Sequence, residues 1–306
     1  MSKERIFILA RTLRVNQWVK NLVVFTAILM SGVLFEGDLF LKTFYAFVVF
    51  CMLSSASYVL NDIIDYPLDR KHPIKKNRPI PAGKVTIPEA TFIVFILTLV
   101  SLVASLFLSP TFFFLSLVFI LLHFFYSLYL KNFPIIDIFT ISFSFMIRAF
   151  GGEVVSGFHI PIWLLLTIFF VSLFMATVKR HAELVSQGSE TRLSLMYYKE
   201  HLLDFLTNTF AAITIIAYAF YTYFERLPTT KTVFTEFFSH LFPDFEARKL
   251  MMITVPLVVY GISRYAQLLY EYSQGERPEK IITTDKPLIV TVLLWGVITV
   301  SLIYIF

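Results

Sequence analysis

About nine apolar runs of bilayer-spanning length divide the sequence, at 21–36, 41–62, 88–108, 111–130, 134–152, 161–179, 206–224, 250–270 and 287–306. In hydrocarbon no water is present to pair with N–H and C=O groups, so a run of this kind satisfies its backbone as a helix. The expected fold class is therefore all-α integral membrane, with nine transmembrane helices. Pro110, Pro134, Pro161 and Pro287 stand at or near expected helix starts, where a missing N–H costs little. A content of 57% hydrophobic and 15% charged residues, with mean hydropathy +0.74, excludes an ordinary soluble domain. No internal repeat is evident and no soluble stretch is long enough to stand alone. Residues 1–306 thus read as one membrane domain, a basic interfacial segment over 1–20 followed by a bundle over 21–306.

Lys3, Arg5, Arg11, Arg14 and Lys20, interleaved with Ile6, Phe7, Leu9 and Leu13, give the first segment a face suited to the membrane surface. It lacks a short apolar stretch with a cleavage site, so no removed signal peptide is expected. Cys51 lies in an apolar run and offers neither a disulfide nor a cysteine metal site. With the N-terminus inside, the loop Lys and Arg residues fall on the inner side except Lys42, Arg226, Lys231, Arg248 and Lys249. The expected location is the cell (inner) membrane, with the N-terminus and the charged loops cytoplasmic. Loop charge also accounts for the net charge of +5, so no nucleic-acid partner is implied.

The chemistry concentrates in residues 61–84, NDIIDYPLDRKHPIKKNRPIPAGK. Asp62, Asp65 and Asp69 are spaced by three and four, which on a helix places them on one face. Carboxylates this close repel unless a cation lies between them. Hard oxygen ligands suit Mg²⁺, which commonly bridges one or two carboxylates to substrate phosphates. Arg70, Lys71, Lys75, Lys76 and Arg78 follow within a few residues and suit the remaining phosphate charge. The stretch reads as a site for Mg²⁺ and a diphosphate at the cytoplasmic edge. The plain alternative is a solvated topogenic loop, against which stand Asn61-Asp62 at the membrane edge and the punctuation by Pro73, Pro79, Pro81 and Gly83.

Two charges fall inside the fifth run. Asp137 and Arg148 are close to three turns apart, sharing a face about 16 Å apart, too far to pair but able to line one cavity. Arg148 carries the planar fork that suits phosphate. The sixth run ends in Lys179-Arg180-His181-Ala182-Glu183, either a surface i, i+4 pair or an anion clamp, with His181 on a phosphate or capping the helix. Gln17, Lys20, Tyr126 and Lys131 are placed at the same rim, although Tyr at an interface is often an anchor.

These residues carry a resemblance. Asn61-Asp62-x-x-Asp65-x-x-x-Asp69 resembles the first acidic motif of the UbiA superfamily of membrane prenyltransferases. With His72-Pro73, Lys75, Arg78-Pro79 and Ala82-Gly83, the block is similar to one branch, the decaprenyl-phosphate phosphoribosyltransferases. Gln17-Trp18-Val19-Lys20-Asn21, Tyr126-Ser127, Lys131, Asp137, Arg148-Ala149, Gly151-Gly152, Lys179-Arg180-x-Ala182-Glu183-Leu184, Pro278-Glu279 and Asp285-Lys286 extend the likeness over nearly the full sequence. Aromatic prenyltransferases of the superfamily carry a second acidic motif after the sixth helix. Here that place reads KRHAEL, with one acid and two fixed cations, which suits an anionic acceptor.

The resemblance implies a nine-helix UbiA-type bundle with cytoplasmic active-site loops. It implies transfer of 5-phosphoribosyl from phosphoribosyl diphosphate (PRPP) to a polyprenyl phosphate of the decaprenyl type. Asp62, Asp65 and Asp69 would hold Mg²⁺, and Asn61, Lys75 and Arg78 would position the donor. Some of Lys20, Arg148, Lys179 and Arg180 would hold the lipid head, and Asp137 would orient the ribose or a cation. The implied product is a precursor of lipid-linked arabinose donors. A phosphate acceptor is already anionic, so no strong general base is needed. The partners implied are PRPP, a polyprenyl phosphate and the bilayer, with homo-oligomerisation left open. Two rivals remain. A UbiA-type aromatic prenyltransferase predicts a second carboxylate pair, and a transporter predicts broken helices and inverted repeats.

Overall fold

The computed structural model describes residues 3–72, 74–187, 197–225, 247–270 and 284–304. The regular secondary structure of the described residues is helical, and the α-helices are α1 (Lys3–Thr12), α2 (Thr26–Met30), α3 (Gly37–Ile64), α4 (Tyr66–Asp69), α5 (Ile87–Leu108), α6 (Pro110–Leu128), α7 (Ile136–Ser156), α8 (Ile162–Gln187), α9 (Glu200–Phe224), α10 (Val255–Tyr270) and α11 (Lys286–Tyr304). Seven of them, α3, α5 to α9 and α11, are long and apolar enough to cross a bilayer. Along α5, Phe92, Phe95, Leu99, Val103, Leu106 and Phe107 are exposed, which is costly in water and favourable against lipid. The chain is a multi-pass membrane protein.

Two expected spans differ from continuous α-helices. The run expected at 21–36 is a 3₁₀ segment, Val15–Phe25, continued by the short α2. Its buried side chains are Gln17, Asn21 and Val24, and the tight 3₁₀ turn stacks Asn21 and Val24 at i, i+3. The run expected at 250–270 begins as a 3₁₀ segment, Ala247–Thr254, and turns α-helical at Val255. Pro256 explains the switch, because its ring clashes with a preceding carbonyl and it has no N–H to donate. The loop containing Pro278 and Glu279 lies outside the described residues.

The chain forms two compact units. The first comprises Met1–Ile28, Phe35–Lys131 and Ile147–Phe158, and the second Leu29–Leu34, Asn132–Met146 and His159–Phe306. In the first unit, Phe50 of α3 meets the Phe112 and Phe119 rings edge-on, with centroids 5.4 and 5.3 Å away. Ser109 caps α6 by accepting from the Phe112 N–H at 3.0 Å, and Pro110 opens the helix. Gly152 of α7 packs so closely that a Cβ there would lie 1.9 Å from the Val24 carbonyl oxygen. Backbone cannot swing aside as a side-chain tip can. Gly152→Ala is therefore expected to destabilise by about 3 kcal/mol, the upper part of the overpacking range. Thermal unfolding in detergent checks this against Gly296→Ala, where a Cβ meets nothing within 4 Å and no loss is expected.

In the second unit, α8 packs along α9. Leu173, Phe174 and Val178 of α8 join Leu203 and Phe210 of α9, Tyr265 and Leu268 of α10, and Leu288 of α11 in one buried cluster. Asp285 accepts from the Leu288 N–H at 2.9 Å and from Arg264 Nη2 at 2.9 Å, tying the middle of α10 to the start of α11. The Arg264 guanidinium holds the Asp285 carboxyl below the usual carboxylate range.

Candidate active site

In the first unit, the acidic stretch sits where α3 ends. Pro67 has no N–H to donate, so α3 stops at Ile64 and a new turn, α4, starts at Tyr66. The chain then returns toward α3 through Pro79-Ile80-Pro81. Ile80 and Val85 are buried against Val59 and Ala90, which pins the loop. Gly83 closes it at φ +72°, a conformation that glycine adopts without a Cβ penalty. His72 Nδ1 accepts from the Ile74 and Lys75 N–H groups, both at 3.2 Å, and fixes the backbone leading to Lys75.

This folding brings each acid onto a cation. Asp62 and Asp69 are 2% and 3% exposed, and both accept from Arg78 Nη1, at 2.9 and 2.8 Å. Arg14 Nη2 reaches the same Oδ1 of Asp62 at 2.5 Å, from the N-terminal segment. Lys131 pairs with Asp65, which also accepts from Asn61 Nδ2 at 2.9 Å. Burial pushes the Asp69 carboxyl above its ordinary value, and the Arg78 and Lys75 charges pull it back.

The donor set is oxygen only, as Mg²⁺ prefers. Arg78 Nη1 lies between one oxygen of Asp62 and one of Asp69, so the two carboxylates can share a cation. Among the described residues, no three His, Cys, Asp or Glu side chains gather into a dedicated metal cage. The site fits an ion that takes one or two carboxylates and completes its shell with substrate phosphate and water.

The other expected site residues are distributed as follows. Gln17 is buried, and Lys20, Lys75 and Tyr126 are half-buried. Arg148 is 3% exposed and works inside the first unit's core. Its Nε donates to Asn21 Oδ1 at 2.6 Å, its Nη2 to Ser54 Oγ at 3.4 Å, and its guanidinium lies over the Phe119 ring at 4.7 Å. This is how a membrane-embedded cation is satisfied by neighbouring helices.

Asp137 belongs to the second unit and is fully buried. Its Oδ2 accepts from Arg180 Nε at 2.6 Å, and its Oδ1 accepts from the Tyr198 hydroxyl at 2.8 Å and the Ile138 N–H at 2.9 Å. Arg180 also donates to Glu183 at 2.5 Å, so this cation rests on two carboxylates. Tyr198 in turn accepts from the Ile135 N–H at 2.5 Å, where Ile135 holds the left-handed φ of 68°. Burial and the adjacent Asp137 push the Tyr198 phenol well up, keeping it a hydrogen-bond donor. His181 approaches Asp204 at 3.5 Å and stacks near Tyr270, and Lys179 beside it is half-buried.

Sequence reasoning missed Arg14, Tyr198, Asn21 and Ser54 as members of these networks. For Arg14 a signal existed, since it stands two residues before the polar Asn16-Gln17 in a segment otherwise suited to lipid. For Tyr198 there was none.

A family model described as the UbiA prenyltransferase family matches residues 22–184, more than half of the chain. The chain belongs to the UbiA prenyltransferase family. Within this UbiA family it groups with decaprenyl-phosphate phosphoribosyltransferases. It is 33% identical to the one from Mycolicibacterium smegmatis over 295 residues, covering 94% of this chain and 89% of that protein. It is also 33% identical to the one from Corynebacterium glutamicum over 303 residues, covering 96% and 86%. A UbiA homolog from Archaeoglobus fulgidus, solved bound to GPP and Mg²⁺, superposes with a TM-score of 0.68 at 17% identity, covering 97% of this chain and 99% of that one. That likeness shows a shared UbiA fold. The protein is a UbiA-family membrane transferase.

Proposed function

We propose that the chain transfers the 5-phosphoribosyl group of PRPP to a polyprenyl phosphate and releases diphosphate. The observation that carries this reading is 33% identity to decaprenyl-phosphate phosphoribosyltransferases over nearly the whole of both chains. The cationic KRHAEL segment supports it, because Arg180 stands where an aromatic prenyltransferase would need a second carboxylate pair.

Asp62, Asp65 and Asp69 are the residues to hold Mg²⁺, one or two of them directly and the rest through water. The ion, when bound, offsets the charge that grows on the leaving diphosphate. Asn61, Lys75 and Arg78 hold and orient the donor, with Lys131 beside them. An oxygen of the acceptor phosphate attacks the anomeric carbon, and the bond to diphosphate breaks with its electron pair leaving on oxygen. Fixed cations around that oxygen are already oriented, which is the economical form of electrostatic catalysis. Lys20 and Gln17 serve the acceptor head while Arg148 holds helices in place, and in the second unit Arg180 holds Asp137.

We further propose nine crossings, the seven long helices together with Val15–Met30 and Ala247–Tyr270, and a cytoplasmic N-terminus and active site. The distribution of loop Lys and Arg supports this orientation.

The test is direct. Purified protein in detergent is incubated with Mg²⁺, polyprenyl phosphate and radiolabelled PRPP, and the organic phase is counted. Label is expected there and is expected to vanish with EDTA. Isoprenyl transfer to an aromatic acid, with no label moved from PRPP, would overturn the reading.

A further inference from the structure

We infer that Arg14 is a diphosphate-binding residue of this site, parked on Asp62 until a metal-bound diphosphate arrives. The inference deepens the proposed function and rests on its assignment of Asp62 to the metal.

Two guanidiniums, Arg14 and Arg78, converge on the same Oδ1 of a carboxylate that is 2% exposed. A carboxylate oxygen with two guanidiniums in place has little capacity left for a divalent ion. A metal that takes this Oδ1 of Asp62 must displace at least one of them. Arg78 is held a second time, by Asp69 at 2.8 Å, whereas Asp62 is the ion-pair partner of Arg14. Arg14 is thus the cation that is released at lower cost. Its side chain is 24% exposed, so it can turn to a ligand entering from solvent.

The backbone of Arg14 is placed with care for a residue of a basic surface segment. It holds the left-handed conformation, φ 51° and ψ 49°, uncommon for a residue with a Cβ. The flanking residues are tied to α3. Ser55 Oγ donates to the Leu13 carbonyl at 2.8 Å and accepts from Trp18 Nε1 at 3.0 Å. The guanidinium also lies over the Tyr58 ring at 4.9 Å. Anchored backbone and a swinging planar fork are the combination that allows one cation to exchange a carboxylate for a phosphate. Metal and diphosphate would then bind as a coupled pair, because the metal evicts Arg14 and the diphosphate receives it.

Binding of Mn²⁺ alone, read by electron paramagnetic resonance, and of inorganic diphosphate with Mn²⁺ present, read by calorimetry, tests this without turnover. Arg14→Gln removes a competitor for Asp62 and should tighten Mn²⁺ alone by roughly threefold or more. The same variant should weaken diphosphate by roughly tenfold or more. Arg14→Lys keeps charge without the fork. If Arg14→Gln does not fold, Arg14→Lys decides, with diphosphate expected to weaken by at least about threefold. Unchanged diphosphate binding, or parallel loss of both ligands, overturns the inference. Asp62→Asn separates the two levels. It should lose Mn²⁺, and if Mn²⁺ binding is unaffected the metal assignment itself falls and this inference falls with it.

Discussion

Asp62→Asn is expected to reduce transfer at least about a hundredfold while the protein stays folded, and Asp65→Asn to do the same. Asparagine keeps the shape and an acceptor oxygen, so what is removed is mainly charge. The two cations on Asp62 are partly exposed, at 24% for Arg14 and 30% for Arg78, so water can solvate them once the carboxylate is gone. An ion pair with that much solvent access contributes little to stability, on the order of 1 kcal/mol or less. The loss should therefore appear in turnover and in metal dependence and barely in the melting temperature. Full activity in both variants would remove these carboxylates from the chemistry.

The second large effect runs the opposite way, toward stability. Asp137 and Arg180 are 0% and 2% exposed, so neither charge can turn to solvent when its partner is lost. Asp137→Ala should destabilise by about 3 kcal/mol, near the lower end for breaking a buried pair, because Glu183 still holds one arm of Arg180. The double variant Asp137→Ala, Arg180→Met should be less destabilised than Asp137→Ala alone, since no buried charge is then left uncompensated. Asp137→Asn, which can still accept from Tyr198, should cost least of the three. Thermal unfolding of the set in detergent measures this order. A double variant worse than the single would mean that Arg180 is held by more than charge.

Some of this was legible in the sequence for plain physical reasons. Asp62, Asp65 and Asp69 stand out by spacing, but they do not share one helix face: α3 ends at Ile64, Arg78 joins Asp62 to Asp69, and Asp65 turns to Lys131. Arg78 is legible through the Pro79-Ile80-Pro81-Ala82-Gly83 turn, which can only bring the chain back. Spanning helices are legible through length and apolarity wherever nothing polar needs burial. The run at 21–36 opens as 3₁₀ because Asn21, its first residue, is held inside the protein by Arg148 and Ser54, and the backbone follows those contacts. Arg148 is harder to read, because a cation in a span needs partners and nothing in one sequence says whether Asn21 and Ser54 or a ligand will supply them. Arg14 is the clearest case. Its contact with Asp62 joins positions 48 apart, and local spacing carries no information about such a pair.

The N-terminal segment also bears on how the protein is made. Asn21 accepts from Arg148, which lies 127 positions later, and Val24 backs onto Gly152. The segment leaves the ribosome well before α7, so Asn21 can meet Ser54 of α3 early, while its contacts with Arg148 and Gly152 form only after α7 has been synthesised. Until then a basic amphipathic stretch is best kept on the membrane surface. The segment can thus dock on α3 as soon as that helix exists, but it is locked in place only when α7 brings Arg148 and Gly152 to it.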